Sequence, residues 1–420
     1  MGLCIVHAAD LHLDTPFSGI GRVAPEVAQA LQDASLAAWD ALVRLTLDEG
    51  ADVLLLAGDI YDGEERGLRA QLRVLSGLGR LSAAGVRTFI VHGNHDPLDG
   101  RWSAVRRWPE GVHIFGSERV ERIPLGEVGG ISGISYAQRE ETRDLASLFR
   151  REAGGGLEIG LLHCSVDGDP AHPAYAPTTR EELLALDLDY WALGHVHARR
   201  EVHAGRPWIE YPGNLQGRSP APGERGPKGA LVVRGDPRTG VLEPPRFVPV
   251  DCVRFIVLEV DVSAAADVPA VLNLVGEAAR AARDAHAGRG MVIRLVLGGS
   301  GAVGAELRAT GTAELLRQLR EEAVGLEPFL WWDQVRVDVA GGWRRDELLG
   351  RGDFVAELLG QVDQLALDPV AFVREAARLA PAIARRAQLG ELDGEAAAAL
   401  LVAAEDRCLE LLLPAGGDGL

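Results

Sequence analysis

The sequence predicts an α/β protein with α+β character: a two-sheet sandwich flanked by helices, then a small α/β cap and a helical tail. Three observations predict it. Over the first 110 residues, short apolar runs alternate with amphipathic stretches, the rhythm of βαβ units with parallel pairing. Beyond that point helices thin out and apolar runs follow one another, which predicts a second, mixed sheet. The 420 residues exceed one ordinary core, so two or three domains are expected.

Taken in order, GLCIVHAA reads as a strand and residues 25–48 as a helix, with apolar residues at helical spacing. ADVLLLAGDI is a strand, 65–84 a helix and VRTFIVHG a strand. VHIFGS, RVERIPL, VGGISGISY, LEIGLLHCSV, YWALGHVH, WIEYPGN and GALVVRG then read as strands with one or two short helices between them. DPRTGVLEPPRFVPV, residues 236–250, is rich in Pro and Gly and reads as an extended exit segment at a domain boundary. FIVLEVDV, a helix near 267–286, MVIRLVLGG, a helix near 312–323 and QVRVDVA form a compact βαβαβ-like unit, and 345–413 reads as helical throughout. The expected domains are 1–245, 250–340 and 345–420.

Composition bounds the function. Hydrophobic residues make up 47% and charged residues 25%, the balance of a globular chain. No apolar run approaches the length of a membrane span. MGLCIVHAAD shows no basic leader or separate apolar region before a cleavage site, so no export is expected. Cys4, Cys164, Cys252 and Cys408 are few, distant and without a CxxC, which fits a reducing cytoplasm. The net charge of −18 argues against wholesale coating of nucleic acid while leaving room for a local basic groove. Lys228 is the only lysine. Of 11 histidines, all but His286 fall at or before His203, so their chemistry belongs to the first half.

Five apolar strands end in oxygen or imidazole ligands: Asp10-Leu11-His12, Gly58-Asp59-Ile60-Tyr61-Asp62, Gly93-Asn94-His95-Asp96, His163 in GLLHCSV, and Gly194-His195-Val196-His197. Any one could be a turn, but ligands gather at the carboxyl ends of sheet strands. Residues two apart on a strand share a face, so Asp10 and His12 are expected to reach one centre, as are His195 and His197. Carboxylate, amide and imidazole donors without thiolate suit manganese, iron or zinc better than calcium or a structural zinc. The donors are too many for one ion. Two ions about 3.5–4 Å apart would use them all, bridged by a carboxylate, and Asp59 lies centrally among the strands.

In this order, DxH, GDxxD, GNHD, a lone strand His and GHxH resemble the calcineurin-like metallophosphoesterase family over about residues 3–235. The resemblance implies Asp10, His12, Asp59 and His197 on one metal, and Asp59, Asn94, His163 and His195 on the other. It implies that His95 binds no metal but protonates the leaving oxygen or stabilises the phosphoryl transition state, and that Asp96 supports the turn or orients His95. A metal-activated hydroxide would then attack in line without a covalent intermediate. The implied cofactors are two divalent ions, manganese first, with iron, zinc or magnesium as alternatives.

Within that family, HAADLHLDTPF and EYPGNLQGRSPAPGERGPKGALVV resemble the nuclease subunits of bacterial double-strand-break repair complexes, the SbcD type, and most of all a bacterial side branch of them. DNA as substrate, an exonuclease activity, a DNA-embracing cap after residue 250, a tail docking an SMC-like coiled-coil ATPase, and a homodimer all follow from that resemblance. Two positions depart from it. Asp14 stands where many such nucleases have Gly, and Asp62 where archaeal and eukaryotic relatives carry a second histidine, leaving His95 alone in that role. Independently, RWSAVRRW offers Arg101, Arg106 and Arg107 with Trp102 and Trp108; Arg199, Arg200 and Arg206 follow the GHVH run, and Arg218 and Lys228 lie in the Gly-rich return. They read either as a phosphate-tracking rim with stacking aromatics, or as a solvated face with Trp packed beneath. His7 reads as a core histidine or a support to the ligands. The alternative activity is a small-molecule phosphodiesterase or pyrophosphatase; a non-catalytic subunit would have lost ligands that this chain keeps.

Overall fold

The computed structural model describes residues 2–14, 25–62, 67–98, 107–125, 129–152, 156–168, 174–339, 345–382 and 394–413. The first part of the chain runs β1 (Leu3–Ala8), α1 (Pro25–Asp48), β2 (Val53–Ala57), α2 (Leu68–Ala83), β3 (Arg87–Val91) and β4 (Val112–Ile114). It continues with β5 (Glu121–Pro124), β6 (Gly130–Gly133), β7 (Glu158–His163), α3 (Arg180–Ala185), β8 (Tyr190–Gly194), β9 (Arg200–His203), β10 (Trp208–Tyr211), β11 (Gly229–Gly235) and β12 (Arg246–Pro249). Two six-stranded sheets result, ordered β12-β11-β1-β2-β3-β4 and β5-β6-β7-β8-β10-β9.

The expected sandwich is therefore present, with its strands shared out differently. VHIFGS and GALVVRG join the first sheet and not the second. β4 lies parallel to β3, and β11 returns antiparallel to β1, with Cys4 opposite Arg234. Without β11 the first strand would present a bare hydrogen-bonding edge. The segment read as an extended exit contains β12, which pairs antiparallel with β11.

Period-two alternation builds the layers. Val53, Leu55 and Ala57 face the second sheet, where they meet Ile159, Leu161, Tyr190 and Ala192. Leu54 and Leu56 face outward onto Trp39, Leu42 and Val43 of α1 and Val74, Leu78 and Leu81 of α2. On the far side, Leu162, Trp191, Leu193, Ile209 and Tyr211 pack with Leu145, Phe149 and Leu183. His163 follows Ile159 and Leu161 on the inward face of β7, so the alternation itself aims its imidazole between the sheets.

The chain divides into two compact units: residues 1–256 with 288–292 and 325–331, and residues 257–287, 293–324 and 332–420. In the first unit, Val253, Phe255 and Val292 cluster with Leu31 and Ala34, and Phe329 and Trp331 pack against them. A three-stranded sheet is formed by β13 (Val253–Asp261), β14 (Gly290–Gly298) and β15 (Leu330–Val337). The second unit holds α4 (Val268–Ala285), α5 (Val303–Thr310) and α6 (Thr312–Glu322), followed by α7 (Arg345–Leu349), α8 (Phe354–Ala366), α9 (Pro369–Leu379) and α10 (Gly394–Leu412). The tail is not one continuous run of helix. Asp353 caps α8, and Asp368 before Pro369 caps α9, each accepting hydrogen bonds from first-turn amides. No helix among the described residues is long and apolar enough to cross a membrane.

Candidate metal centre

The centre forms where β1, β2, β3, β7 and β8 end. The segments after β1 and β2 run side by side: the Asp10 amide donates to the Gly58 carbonyl at 3.1 Å and the His12 amide to the Asp59 carbonyl at 3.0 Å. Asp10, His12, Asp59 and His195 have φ of 50°, 43°, 51° and 103°, so four expected ligands sit in left-handed backbone that non-glycine residues seldom adopt. Asp10 and His12 do reach one centre, but through this turn and not through strand alternation. Two glycines admit the approach. A Cβ at Gly58 would stand 2.3 Å from His163 Nδ1, and one at Gly194 only 1.8 Å from the Ala57 carbonyl oxygen.

Donor atoms of Asp10, His12 and His197 lie within 4.8 Å of one another, as do those of Asp10, Asp59 and His163. His12 Nε2 and His197 Nε2 are 3.1 Å apart, and Asp59 Oδ2 is 3.8 Å from the former. His163 Nε2 lies 3.0 Å from Asn94 Oδ1 and 3.4 Å from Asp59 Oδ2. Asp59 thus stands between the two groups. His163 Nδ1 is 2.9 Å from the Ala57 carbonyl, an acceptor only, so Nδ1 carries the proton and Nε2 is the donor atom toward the centre. His195 directs its amide to both Asp10 carboxylate oxygens at 3.0 Å, and its ring lies 5.3 Å from that of His163. His197, and not His195, shares the group with Asp10 and His12.

The charges suit a cation. Burial pushes the Asp10 carboxyl up and holds His12 down at about 4, helped there by Arg218. Burial would raise Asp59 too, but the imidazoles of His163, His12 and His95 hold it well below the usual carboxylate range. Burial opposes charge on His163, yet the Asp59 carboxylate outweighs it and lifts the imidazole to about 9. Without a cation, a proton on His163 supplies the positive charge the buried carboxylates require. A divalent ion would replace that proton, as ligand deprotonation on metal binding demands. Carboxylate, amide and imidazole donors converging in a buried pocket fit divalent metals.

His95 stands at the rim of the centre. Its side chain is 28% exposed, against 0–2% for His12, Asp59 and His163. His95 Nδ1 is 2.6 Å from Asp62 Oδ1, and this contact raises the imidazole above its ordinary value. The Asp62 carboxyl is held low by His12 and His95. Asp96 is fully buried and makes no such contact. Its Oδ2 accepts from the Ile60 amide at 2.8 Å and lies 3.0 Å from His92 Nδ1, and its Oδ1 accepts from the Gly93 amide at 2.9 Å. Of the two parts considered for Asp96, its hydrogen bonds are those of turn support. The carboxylate beside His95 is Asp62.

Sequence reasoning missed Glu224. Its Oε1 lies 2.7 Å from His197 Nδ1, while Oε2 accepts from Asn214 Nδ2 at 2.7 Å and from the Arg218 amide at 3.0 Å. Burial would raise this carboxyl, but the His197 hydrogen bond and Arg218 draw it down to about 2. Arg218 pairs with Asp62 at 3.0 Å, so it belongs to the centre more than to a rim. Lys228 is buried, with its ammonium lowered to about 8 by that burial, and faces no solvent groove. Arg107 and Arg199 are exposed, the latter with its guanidinium 5.1 Å from the Phe247 ring centre. Trp108 packs against the outer core, while Arg101, Trp102 and Arg106 lie outside the described residues. His7 is a core histidine: Nδ1 meets the Tyr190 hydroxyl at 2.9 Å and Nε2 the Leu193 carbonyl at 3.2 Å.

Comparison with known proteins agrees with this site. The calcineurin-like phosphoesterase family matches residues 4–199, and the middle domain of metallophosphoesterase YhaO matches residues 255–340. The chain belongs to the calcineurin-like metallophosphoesterases. It is 34% identical over 334 residues to the uncharacterized metallophosphoesterase YhaO of Bacillus subtilis, covering 78% of this chain and 80% of that one. It is 26% identical over 249 residues to SbcD, the second subunit of the nuclease SbcCD, of the same organism, covering 50% of this chain and 61% of the other. It is 27% identical over 237 residues to the DNA double-strand break repair protein Mre11 of Aeropyrum pernix, covering 50% and 53%. The similarity to SbcD and Mre11 thus spans between half and two thirds of their length.

Proposed function

We propose that this metallophosphoesterase is a two-metal phosphodiesterase that hydrolyses DNA, a manganese-dependent exonuclease of DNA repair working in the cytoplasm. The observation that carries DNA as substrate is the partial identity to SbcD and to Mre11. In this reading Asp10, His12, Asp59 and His197 hold one ion, and Asp59, Asn94, His163 and His195 the other. The ions supply a nucleophile at neutral pH and neutralise phosphoryl charge.

The chain's own residues do the rest. Asp59 spans the two groups, and its Oδ1 also accepts the His95 amide at 2.9 Å, which fixes the turn that carries His95. From the open side of the centre, His95 gives a proton to the departing oxygen, and Asp62 keeps the imidazole charged until it does so. Arg107 and Arg199 track phosphates, with Arg218 beside Asp62 and Arg101 and Arg106 in the same role. Under the same proposal residues 250–340 embrace the DNA, residues 345–420 dock an SMC-like coiled-coil ATPase, and the protein works as a homodimer.

Digestion of end-labelled single-stranded and duplex DNA with added manganese tests it, beside cyclic nucleotides and bis-phosphates. Wild type is expected to shorten DNA and an Asp59→Asn protein to leave it whole. Hydrolysis of the small phosphoesters with DNA intact would replace the nuclease reading by the small-molecule one.

A further inference from the structure

Forty-three residues of this chain are Lys or Arg, and Lys228 alone among them is lysine. A chain that uses arginine everywhere else keeps an ammonium at this point, where the residue is 3% exposed. The Lys228 ammonium donates to the His197 carbonyl at 2.7 Å and to the Gly223 carbonyl. The His197 carbonyl also accepts the Asn214 amide at 3.1 Å, so two donors hold its oxygen. Gly213 is pressed against the same oxygen, where a Cβ would stand 2.7 Å away. At the other end of the residue, Glu224 meets Nδ1 of the imidazole at 2.7 Å. The 3-10 turn Pro222–Glu224 supplies both the Gly223 carbonyl and the Glu224 carboxylate.

We propose that Lys228 and Glu224 form a two-point clamp that fixes His197 for cation binding, Lys228 through the main-chain carbonyl and Glu224 through the imidazole. The proposal rests on the reading of Asp10, His12 and His197 as one cation site. An ionised carboxylate only accepts, so Glu224 obliges Nδ1 to carry the proton and leaves the Nε2 lone pair facing His12 and Asp10. Lys228 ties the His197 backbone to the turn that carries Glu224, so that the two contacts share one support. An ammonium concentrates its donors at one small atom and can serve two carbonyls from different segments. A guanidinium spreads its donors over a planar fork and needs room that a site this enclosed lacks. Both are positioning residues, since neither joins the three donors of the cation group.

Calorimetric titration with manganese tests the clamp. Wild type is expected to bind two ions. Lys228→Met, Lys228→Arg and Glu224→Gln are expected to weaken one of the two by about 10–100-fold, the usual cost of losing a group that orients a metal ligand. A second readout uses the unmodified protein, because its single lysine gives a single acylation site beside the α-amine. Manganese is expected to slow acylation of Lys228 by an amine-acylating reagent, read by mass spectrometry, and to leave the α-amine rate unchanged. This measurement decides the matter if the Lys228 variants fail to fold. Two ions bound with unchanged affinity in Lys228→Met and Glu224→Gln, or a Lys228 acylation rate indifferent to manganese, would overturn the clamp alone. Absence of manganese binding by wild type would overturn the cation site and the clamp together.

Discussion

At the scale of single residues, the contact that governs the chemistry is His95 with Asp62, at 2.6 Å. Because Asp62 raises the imidazole, His95 stays protonated to a higher pH than a free histidine. An acid is useful while it holds its proton, so turnover that depends on His95 is expected to fall as pH rises through that raised value. Asp62→Asn removes the cause, and the falling limb of the pH–rate profile is expected to move to lower pH at saturating manganese. His95→Ala is expected to reduce turnover by roughly 10²–10⁴-fold, the range for general acids, while manganese stoichiometry stays at two. Loss of both metals in that variant would instead make His95 a ligand or a structural support. The ligand set was legible because each ligand type follows an apolar strand end. Glu224 was not, because GERG in a Pro- and Gly-rich stretch looks like any solvated turn; only the fold brings it to His197, 27 positions earlier. Lys228 was misread as rim for the same reason: a lone positive charge after GP carries no mark of burial.

At the scale of elements, the strand-end glycines set how closely β8 and β2 approach. A Cβ at Gly194 would stand 1.8 Å from the Ala57 carbonyl oxygen and 2.9 Å from His163 Nδ1, and both neighbours are buried. Nothing flexible can yield there. Gly194→Ala is expected to lower stability by at least the ~1–3 kcal/mol typical of overpacking, and to weaken manganese binding by displacing His163. Gly79→Ala in α2 is the matched contrast. No atom lies within 4 Å of its added Cβ, and a helix gains up to ~1 kcal/mol from the exchange. Thermal unfolding in chelator checks both; equal midpoints would remove the steric argument. Long apolar or amphipathic segments such as VLLLA in β2 and the stretch forming α4 were readable, since period two or 3.6 is written in them. β9 was not, because REVH is a charged edge strand that buries little. α5 was missed because the Gly-rich stretch before it looks like loop and Ala302 supplies no side-chain cap.

At the scale of the whole molecule, the net charge of −18 makes any further buried acid costly, and the sandwich holds one. Glu210 lies in β10 between Ile209 and Tyr211, which pack outward, so its carboxyl turns into the space between the sheets. It is wholly buried, and neither carboxyl oxygen has a hydrogen-bond partner. Burial raises it to about 8, with the nearby Glu201 adding to the shift, so the folded protein keeps Glu210 neutral at pH 7. The sign follows from the protons bound. Between the ordinary glutamate value and about 8, the unfolded chain has released this proton and the folded chain has not. Stability therefore falls as pH rises through that window, by up to ~1.4 kcal/mol per pH unit from this group. His7 acts in the opposite sense: burial holds it at about 3, so stability is lost as pH falls from the ordinary histidine value toward that point. The two slopes oppose each other near pH 5–6, and above the histidine range Glu210 acts alone. Glu210→Gln removes the ionisation and keeps the shape. It is expected to leave the unfolding midpoint little changed near pH 5 and to raise it progressively up to pH 8, measured in chelator so that metal binding does not enter. A midpoint difference between Glu210→Gln and wild type that stays constant from pH 5 to pH 8 would show that Glu210 ionises no differently in the folded chain than in the unfolded one.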